Sequence, residues 1–200
     1  MAAEILFCAP RMLTKADTGV LPGELPDQRT CRTIGLDEVD NAVLIDGIAL
    51  WRSLSEGRPY PPREAISART LKNLLRNTTL LRVIEGGRDY EYRVVGDAFV
   101  MAHGRSFQGK YWSEVERLSP GFYAYIKPIY DHVVRTGEPL ATRGWIERGA
   151  GSKGHVYCEY VYLPLGSAET GVDYILIFAV YLRRDGIEHV ACAIRGSFGE

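Results

Sequence analysis

From Leu36 onward apolar residues return with helical spacing. Leu36, Val39, Val43, Leu50 and Leu54 share one stripe, and Leu44, Ile48 and Trp51 widen it. The pattern predicts a helix over 36–54, with Asp37 and Glu38 in its first turn at the positive end of the dipole. The three prolines of "GRPYPPR" close it. A stripe this wide has to cover either the chain's own domain or a second copy. A shorter helix is predicted over 68–76, with Leu71, Leu74 and Leu75 inward. The period then drops to two. Residues 78–85 are rich in β-branched and aliphatic side chains, and Tyr90, Tyr92 and Val94 alternate with Glu91, Arg93 and Val95. Between them Gly86-Gly87 supplies the positive φ that a tight hairpin needs.

After Gly96-Asp97, residues 98–102 read as little more than one helical turn, with Asp97 expected as its N-cap. A glycine-punctuated loop carrying Phe107, Tyr111 and Trp112 follows. Ser119 and Pro120 read as the N-cap and first residue of a long helix, kinked at Pro128 and closed by Gly137 and Pro139. Phe122, Ile126, Ile129 and Val133 form its buried stripe. Three strands complete the pattern, over 141–147, 155–163 and 173–182, joined by the hairpin-like links "RGAGSKG" and "PLGSAETG". An early strand pair, then helices, then a late strand trio predicts an α+β domain: a five-stranded antiparallel sheet with helices on one face, preceded by an N-terminal helix. The expected divisions are an irregular arm over 1–34, flanking helices over 35–77, the core over 78–184 and a tail over 185–200. In that tail "IEHVACAI" reads either as strand or as helix.

Composition narrows the function. The 200 residues are 46% apolar and 24% charged, enough for one well-cored domain. A formal net charge of -1, with no basic block, gives no electrostatic reason to expect nucleic acid or an anionic membrane as partner. Cys8, Cys31, Cys158 and Cys192 form no C-x-x-C pair and read as reduced thiols of a cytoplasmic protein. The opening "MAAEILFCAP" lacks the basic leader of an export signal, and "DYILIFAVYL" is too short to span a bilayer as a helix.

Several stretches together resemble a bacterial group of stand-alone PAS proteins: "LWRSLSEGRPYPPREAI", "LKNLLRNTTLLRVI", "YEYRVVG", "FQGKYWSEV", "IYDHVVRTGEP" and "YVYLPLGS". Their order and spacing carry the resemblance, over about residues 51–181. One departure is Arg76, which stands where that group tends to have proline. The resemblance implies a sensory or interaction module, often a homodimer, with its ligand site between the curved sheet and the short helices. Fold analogy does not name the ligand.

Candidate chemistry divides accordingly. Tyr92, Arg93, Phe99, Phe107, Trp112, Tyr160, Phe178 and His132 are the candidate pocket residues, with Tyr90, Tyr111, Tyr157 and Tyr162 in the same aromatic concentration. They either line a cavity for a planar or amphipathic organic molecule or fill the core with their own rings. Arg93 would serve a ligand carboxylate if it faced inward, and is a solvated charge if it faces outward. His132, the residue placed for haem ligation, lies at the boundary of its helix's apolar stripe, which argues against haem. The loop around "HGRSFQGKYW" holds no cysteine, which argues against a cysteinyl photoactive flavin. His155 and Cys158 are three apart on a strand and point to opposite faces, and no metal is assigned. An isomerase or dehydratase would need a carboxylate or imidazole inside an apolar pocket, for which Asp97, Asp131, Glu159 and His132 are the candidates. Glu159 is expected to be outward and solvated. The leading expectation is a sensory module without an output domain, signalling to a partner protein. Val43, Leu50 and Leu54 are its candidate dimer interface.

Overall fold

The computed structural model describes residues 31–118, 120–147 and 155–182. Most of the predicted arm, the tail, the Ser119 cap and the first link of the strand trio lie outside them. The strands are β1 (Cys31–Ile34), β2 (Thr78–Ile84), β3 (Asp89–Val95), β4 (Leu140–Glu147), β5 (His155–Ser167) and β6 (Gly171–Leu182). The helices are α1 (Ala42–Ser55), α2 (Ala68–Leu71), α3 (Asp97–His103), α4 (Trp112–Leu118) and α5 (Pro120–Thr136). The strands form one six-stranded antiparallel sheet in the order β1-β4-β5-β6-β2-β3. The early pair therefore joins the late trio through β2 and β6, with α3–α5 inserted between the two groups along the chain. This is the arrangement expected from the sequence, with one strand more. β1 is the addition, too short at four residues to show a period, and it pairs with β4 from Cys31↔Gly144 to Ile34↔Ala141.

Both faces of this sheet are covered, where the sequence predicted helices on one. Even-numbered residues of β5 (Val156, Cys158, Tyr160, Tyr162) join a core with α3, α4 and α5. Odd-numbered ones (Val161, Leu163, Leu165) join a second core with Leu44, Ile48 and Trp51 of α1. The two cores are called inner and outer below. α1 covers its own domain: Gly47 packs so closely on β6 that a Cβ there would sit 2.3 Å from Phe178 Cδ2, and Trp51 Nε1 donates to Pro164 O at 2.8 Å. A second copy is not what buries its central stripe.

The predicted 36–54 helix is broken. Leu36–Glu38 is a single 3₁₀ turn, and the chain is extended at Val39 before Asn41 caps α1, its Oδ1 accepting from Val43 N at 3.0 Å. The 68–76 helix is α2 followed by a 3₁₀ turn over Lys72–Asn77. Asp97 is the first residue of α3 and exposed, while Gly96 holds the cap position without a side-chain bond. α5 begins at Pro120 and continues through Pro128, burying Ile126, Ile129 and Val133. Gly86 and Gly87 adopt φ of 67° and 102° in the β2–β3 turn, as expected. β5 runs through "PLGS", so only Ala168–Glu169–Thr170 remains as turn. No helix among the described residues is long and apolar enough to cross a membrane.

Candidate functional site

Strand alternation turns Tyr90 and Tyr92 of β3, Cys158, Tyr160 and Tyr162 of β5, and Ile175, Ile177 and Ala179 of β6 toward the helices. Phe99 and Ala102 of α3, Phe107, Trp112 and Val115 of the α4 region, and Ile126, Ile129, Tyr130 and Val133 of α5 form the opposite wall. The enclosure is an aromatic cage. Tyr92 lies between Phe99 (6.2 Å between ring centroids), Phe107 (5.6 Å) and Trp112 (5.8 Å). Tyr130 meets Trp112 edge-on at 5.1 Å, Tyr90 at 5.2 Å and Tyr162 at 6.0 Å. Tyr160 stacks on Tyr162 at 5.6 Å. His103, fully buried at the end of α3, stacks on Phe99 at 4.3 Å and meets Tyr181 edge-on at 5.6 Å.

The Tyr160 and Tyr162 hydroxyls in this cage find partners, whereas the Tyr92 hydroxyl is buried with no hydrogen bond in range among the described residues. Tyr160 OH bonds Tyr181 OH at 3.2 Å, Tyr162 OH lies 3.5 Å from Thr142 Oγ1, and Tyr92 OH is directed at Tyr130. At the rim Tyr90 OH donates to Asp131 Oδ1 at 2.7 Å, and Lys127 Nζ pairs with the same carboxylate at 2.8 Å. Burial pushes the Tyr92, Tyr160, Tyr162 and Tyr181 phenols well above their ordinary values, and raises Tyr130 and Tyr125 too. At neutral pH these phenols are protonated, which makes them hydrogen-bond donors and removes them as bases.

Of the predicted pocket residues, Tyr92, Phe99, Phe107, Trp112 and Tyr160 do converge in the cage. Phe178 does not. It is on the other face of β6, buried in the outer core against Gly47. Arg93 points to solvent and pairs with Glu91 at 2.7 Å. His132 is half-buried on the flank of α5, 3.4 Å from Arg135. Tyr111 is exposed, and Tyr157 packs outside the cage on Trp145 at 5.5 Å.

Glu159 corrects the expectation of a solvated carboxylate. It is 7% exposed, on the outer face, with Oε1 2.9 Å from Arg143 Nε. Burial raises its pKa and Arg143 takes back part of the rise. Arg143 also reaches Asp40 Oδ1 at 2.7 Å, tying the chain ahead of α1 to β4. Asp97, Glu159 and the neighbouring Asp131 and His132 of α5 thus form no common site; Asp131 reaches the rim of the cage through Tyr90 and none of the others touches it. Four cage residues were not in the predicted aromatic set: His103, Tyr125, Tyr130 and Tyr181. Tyr130 carried a signal, being four residues after Ile126 on the buried stripe of α5. Tyr181 shares the parity of Ile175, Ile177 and Ala179.

A surface groove of about 300 Å³ lies at the β5–β6 turn, lined by Arg63, Glu64, Arg82, Thr170, Asp173 and Tyr174 among others. Across it the Arg63 guanidinium sits 5.3 Å above the Tyr174 ring, and Thr170 Oγ1 donates to Asp173 Oδ2 at 2.8 Å. No group of three or more potential metal ligands occurs among the described residues.

No family model matches the chain, and no curated protein does. Among solved structures it is similar to a light-oxygen-voltage domain studied with a flavin analogue, at 13% identity and a TM-score of 0.41, over 64% of this chain and 93% of that one. It is also similar to an RNA-binding light-oxygen-voltage receptor, at 13% identity and a TM-score of 0.44, over 86% of this chain and 45% of the receptor, less than half its length. The fold is PAS-like on its own topology: the early pair docked beside the last strand of the trio, and the short helices and α5 closing the inner face.

Proposed function

We propose that this PAS-like domain is a sensory or signalling module that acts by contact with a partner protein, its cage occupied by its own aromatic rings. The observation that supports this reading is the close packing of the rings around Tyr92 and Tyr130, with the Tyr160 and Tyr181 hydroxyls closed on each other. A ligand pocket keeps a few convergent polar groups for its guest, whereas here Tyr160 answers Tyr181 and Tyr162 answers Thr142. A guest would have to displace rings that already pack centroid to centroid at 4.3–6.2 Å. Acid–base catalysis finds little support, because the phenols are held protonated, Asp97 and Glu159 lie away from the cage, and Asp131 at its rim is bonded to Tyr90 and Lys127.

The test is an absorption spectrum of freshly purified protein together with a thermal-shift panel of flavins, haem, organic acids and nucleotides. The expected result is no absorbance beyond the aromatic band and no shift with any compound. A co-purified chromophore, or a dose-dependent rise in Tm with one compound class, would replace this reading with a ligand-gated one.

The proposed partner includes a second copy of the chain. Val43, Leu50 and Leu54 line one flank of α1, about a right angle from the arc of Leu44, Gly47, Ile48 and Trp51 that faces the sheet. They are half-buried at the margin of the outer core, leaving an apolar strip. Sedimentation velocity is expected to give a dimer for the wild type and a folded monomer for Leu50→Arg. A wild-type monomer, or an unchanged dimer in the variant, would remove this part.

A further inference from the structure

We propose that the outer face of β2 and β3 is a docking site for an acidic segment of a partner protein, with Arg82 and Arg93 gripping one of its carboxylates. This names the chemistry of the contact and rests on the contact-driven reading above. α1 lies over β5 and β6. Beyond it the outer face turns from apolar to charged. Strand register sets Tyr174 of β6, Arg82 of β2 and Glu91 of β3 side by side, and residues directly opposite share a face. Arg93 joins this row through a bulge. Leu80 faces Val94 and Leu81 faces Tyr92, which leaves Arg93 as the extra residue. A bulge re-aims a side chain, and this one brings Arg93 onto Glu91.

Glu91 organises the row. It is 8% exposed, with Oε1 2.7 Å from Arg93 Nη1 and Oε2 3.8 Å from Arg82 Nη1. One carboxylate is thus capped by two guanidiniums, each giving it one nitrogen. Both arginine side chains stay half exposed, so most of each five-donor fork is left for a second acceptor. Two positive charges over one buried negative make a positive pole that is already oriented before anything binds. At the other end of the row, Arg63 stands 5.3 Å above the Tyr174 ring and donates from Nη1 to Ile66 O at 2.7 Å. Its charge is set against a carbonyl and a ring. Tyr111 is exposed and bridges to Glu91 on the β3 side. Exposed arginine and tyrosine are the residue types that carry binding energy at protein interfaces.

Dimensions and charge select the occupant. The row spans two strand spacings, about 9.6 Å, which is about three residues of extended chain. The groove of about 300 Å³ beside Arg63, Arg82 and Tyr174 takes a side chain at one end, and the guanidinium pair takes a carboxylate at the other. Glu64 and Asp173 line the groove too, Asp173 accepting from Thr170 Oγ1 at 2.8 Å. These two acids, with a formal net charge of -1 over the chain, give no field to hold a dense polyanion such as nucleic acid. An isolated carboxylate needs only the guanidinium pair.

The experiment titrates the ¹⁵N-labelled full chain with acetyl-Gly-Glu-Tyr-Glu-Gly-amide, with the same peptide carrying glutamine for both glutamates, and with a thymidine trinucleotide of equal charge. The expected result is saturable, salt-sensitive binding of the glutamate peptide alone, with amide shifts at Arg82, Glu91, Arg93 and Tyr174. Arg82→Gln and Arg93→Gln should each weaken it by up to about fivefold. Glu91→Gln removes the internal competitor and should tighten it by a similar factor, where a Glu91 of merely structural role would weaken it. If the glutamine variants at the arginines fail to fold, Arg82→Lys with Arg93→Lys keeps charge over Glu91 while removing the forks, and should still weaken binding. Equal binding of the glutamine peptide, tighter binding of the trinucleotide, shifts confined to other residues, or weaker binding by Glu91→Gln would overturn the proposal. A co-purified chromophore would overturn the contact-driven reading itself. A flat titration of folded, chromophore-free protein overturns this site and leaves that reading in place.

Discussion

Replacing Gly47 by alanine tests the seating of α1 on the sheet, because the sign of the effect depends on it. On an exposed helix face, Gly→Ala stabilises by about 1 kcal/mol through helix propensity alone. Gly47 is buried, and the new Cβ would stand 2.3 Å from Phe178 Cδ2 and 2.8 Å from Cγ and Cε2. Phe178 is fully buried, so its ring has no free space to rotate into. Overpacking of this kind costs about 1–3 kcal/mol, which cancels or outweighs the propensity gain. The decisive quantity is the coupling to the ring. Phe178→Ala alone should cost about 3–5 kcal/mol, but in that background Gly47→Ala meets a cavity in place of a ring and should recover its gain of about 1 kcal/mol. Urea unfolding of the four proteins of the cycle measures this, and the expected coupling is about 1–3 kcal/mol. Phe178→Leu can replace Phe178→Ala if the latter leaves too little folded baseline. Stabilisation by Gly47→Ala to the same extent in both backgrounds would refute the docking of α1 on β6.

Tyr160→Phe or Tyr181→Phe alone should each destabilise by about 1–3 kcal/mol, since the remaining hydroxyl stays buried without its partner, while the double variant should lose less than the sum; chemical denaturation of the cycle checks this. Gly96→Ala should destabilise by about 3 kcal/mol in the same assay, because the Cβ would lie 2.3 Å from the Arg76 carbonyl oxygen and a main chain cannot turn aside. For Glu159, burial raises the folded-state pKa above the ordinary value of 4.5. Its contribution to stability is therefore full below that value and is lost as pH rises through the raised one. Glu159→Gln should remove that slope from a plot of unfolding free energy against pH, and an unchanged slope would assign it to another group.

The order of elements was legible because each carried its own period. Tyr90, Tyr92 and Val94 alternate, Ile126, Ile129 and Val133 recur at helical spacing, and Gly86-Gly87 punctuates a hairpin. Where the reading failed, tertiary contacts had overridden a local pattern. Leu36 and Val39 fit the stripe of α1, yet Asn41 caps the helix and the chain before it is pulled onto β4 through Asp40 and Arg143. β1 was invisible because Cys31–Ile34 is too short to show a period and, among the described residues, takes its strand pairing from β4, more than a hundred residues away.

The misplacement of Phe178 has a deeper cause. A strand with one wet face shows its inside by alternation, but "YILIFAVY" in β6 is apolar on both sides because the sheet is covered on both. Composition cannot then say which parity faces the cage; only the register against β5 does, through Val161↔Phe178 and Tyr162↔Ile177. The same fact has a mechanical consequence. A one-residue slip of β6 would move Phe178 into the cage and Ile177 under α1, disrupting both cores together. The two faces are therefore coupled through β5 and β6, and a partner that shifts α1 acts on the strands that carry Tyr160, Tyr162 and Tyr181. On the contact-driven reading proposed above, this coupling is the route from the outer helix to the aromatic interior.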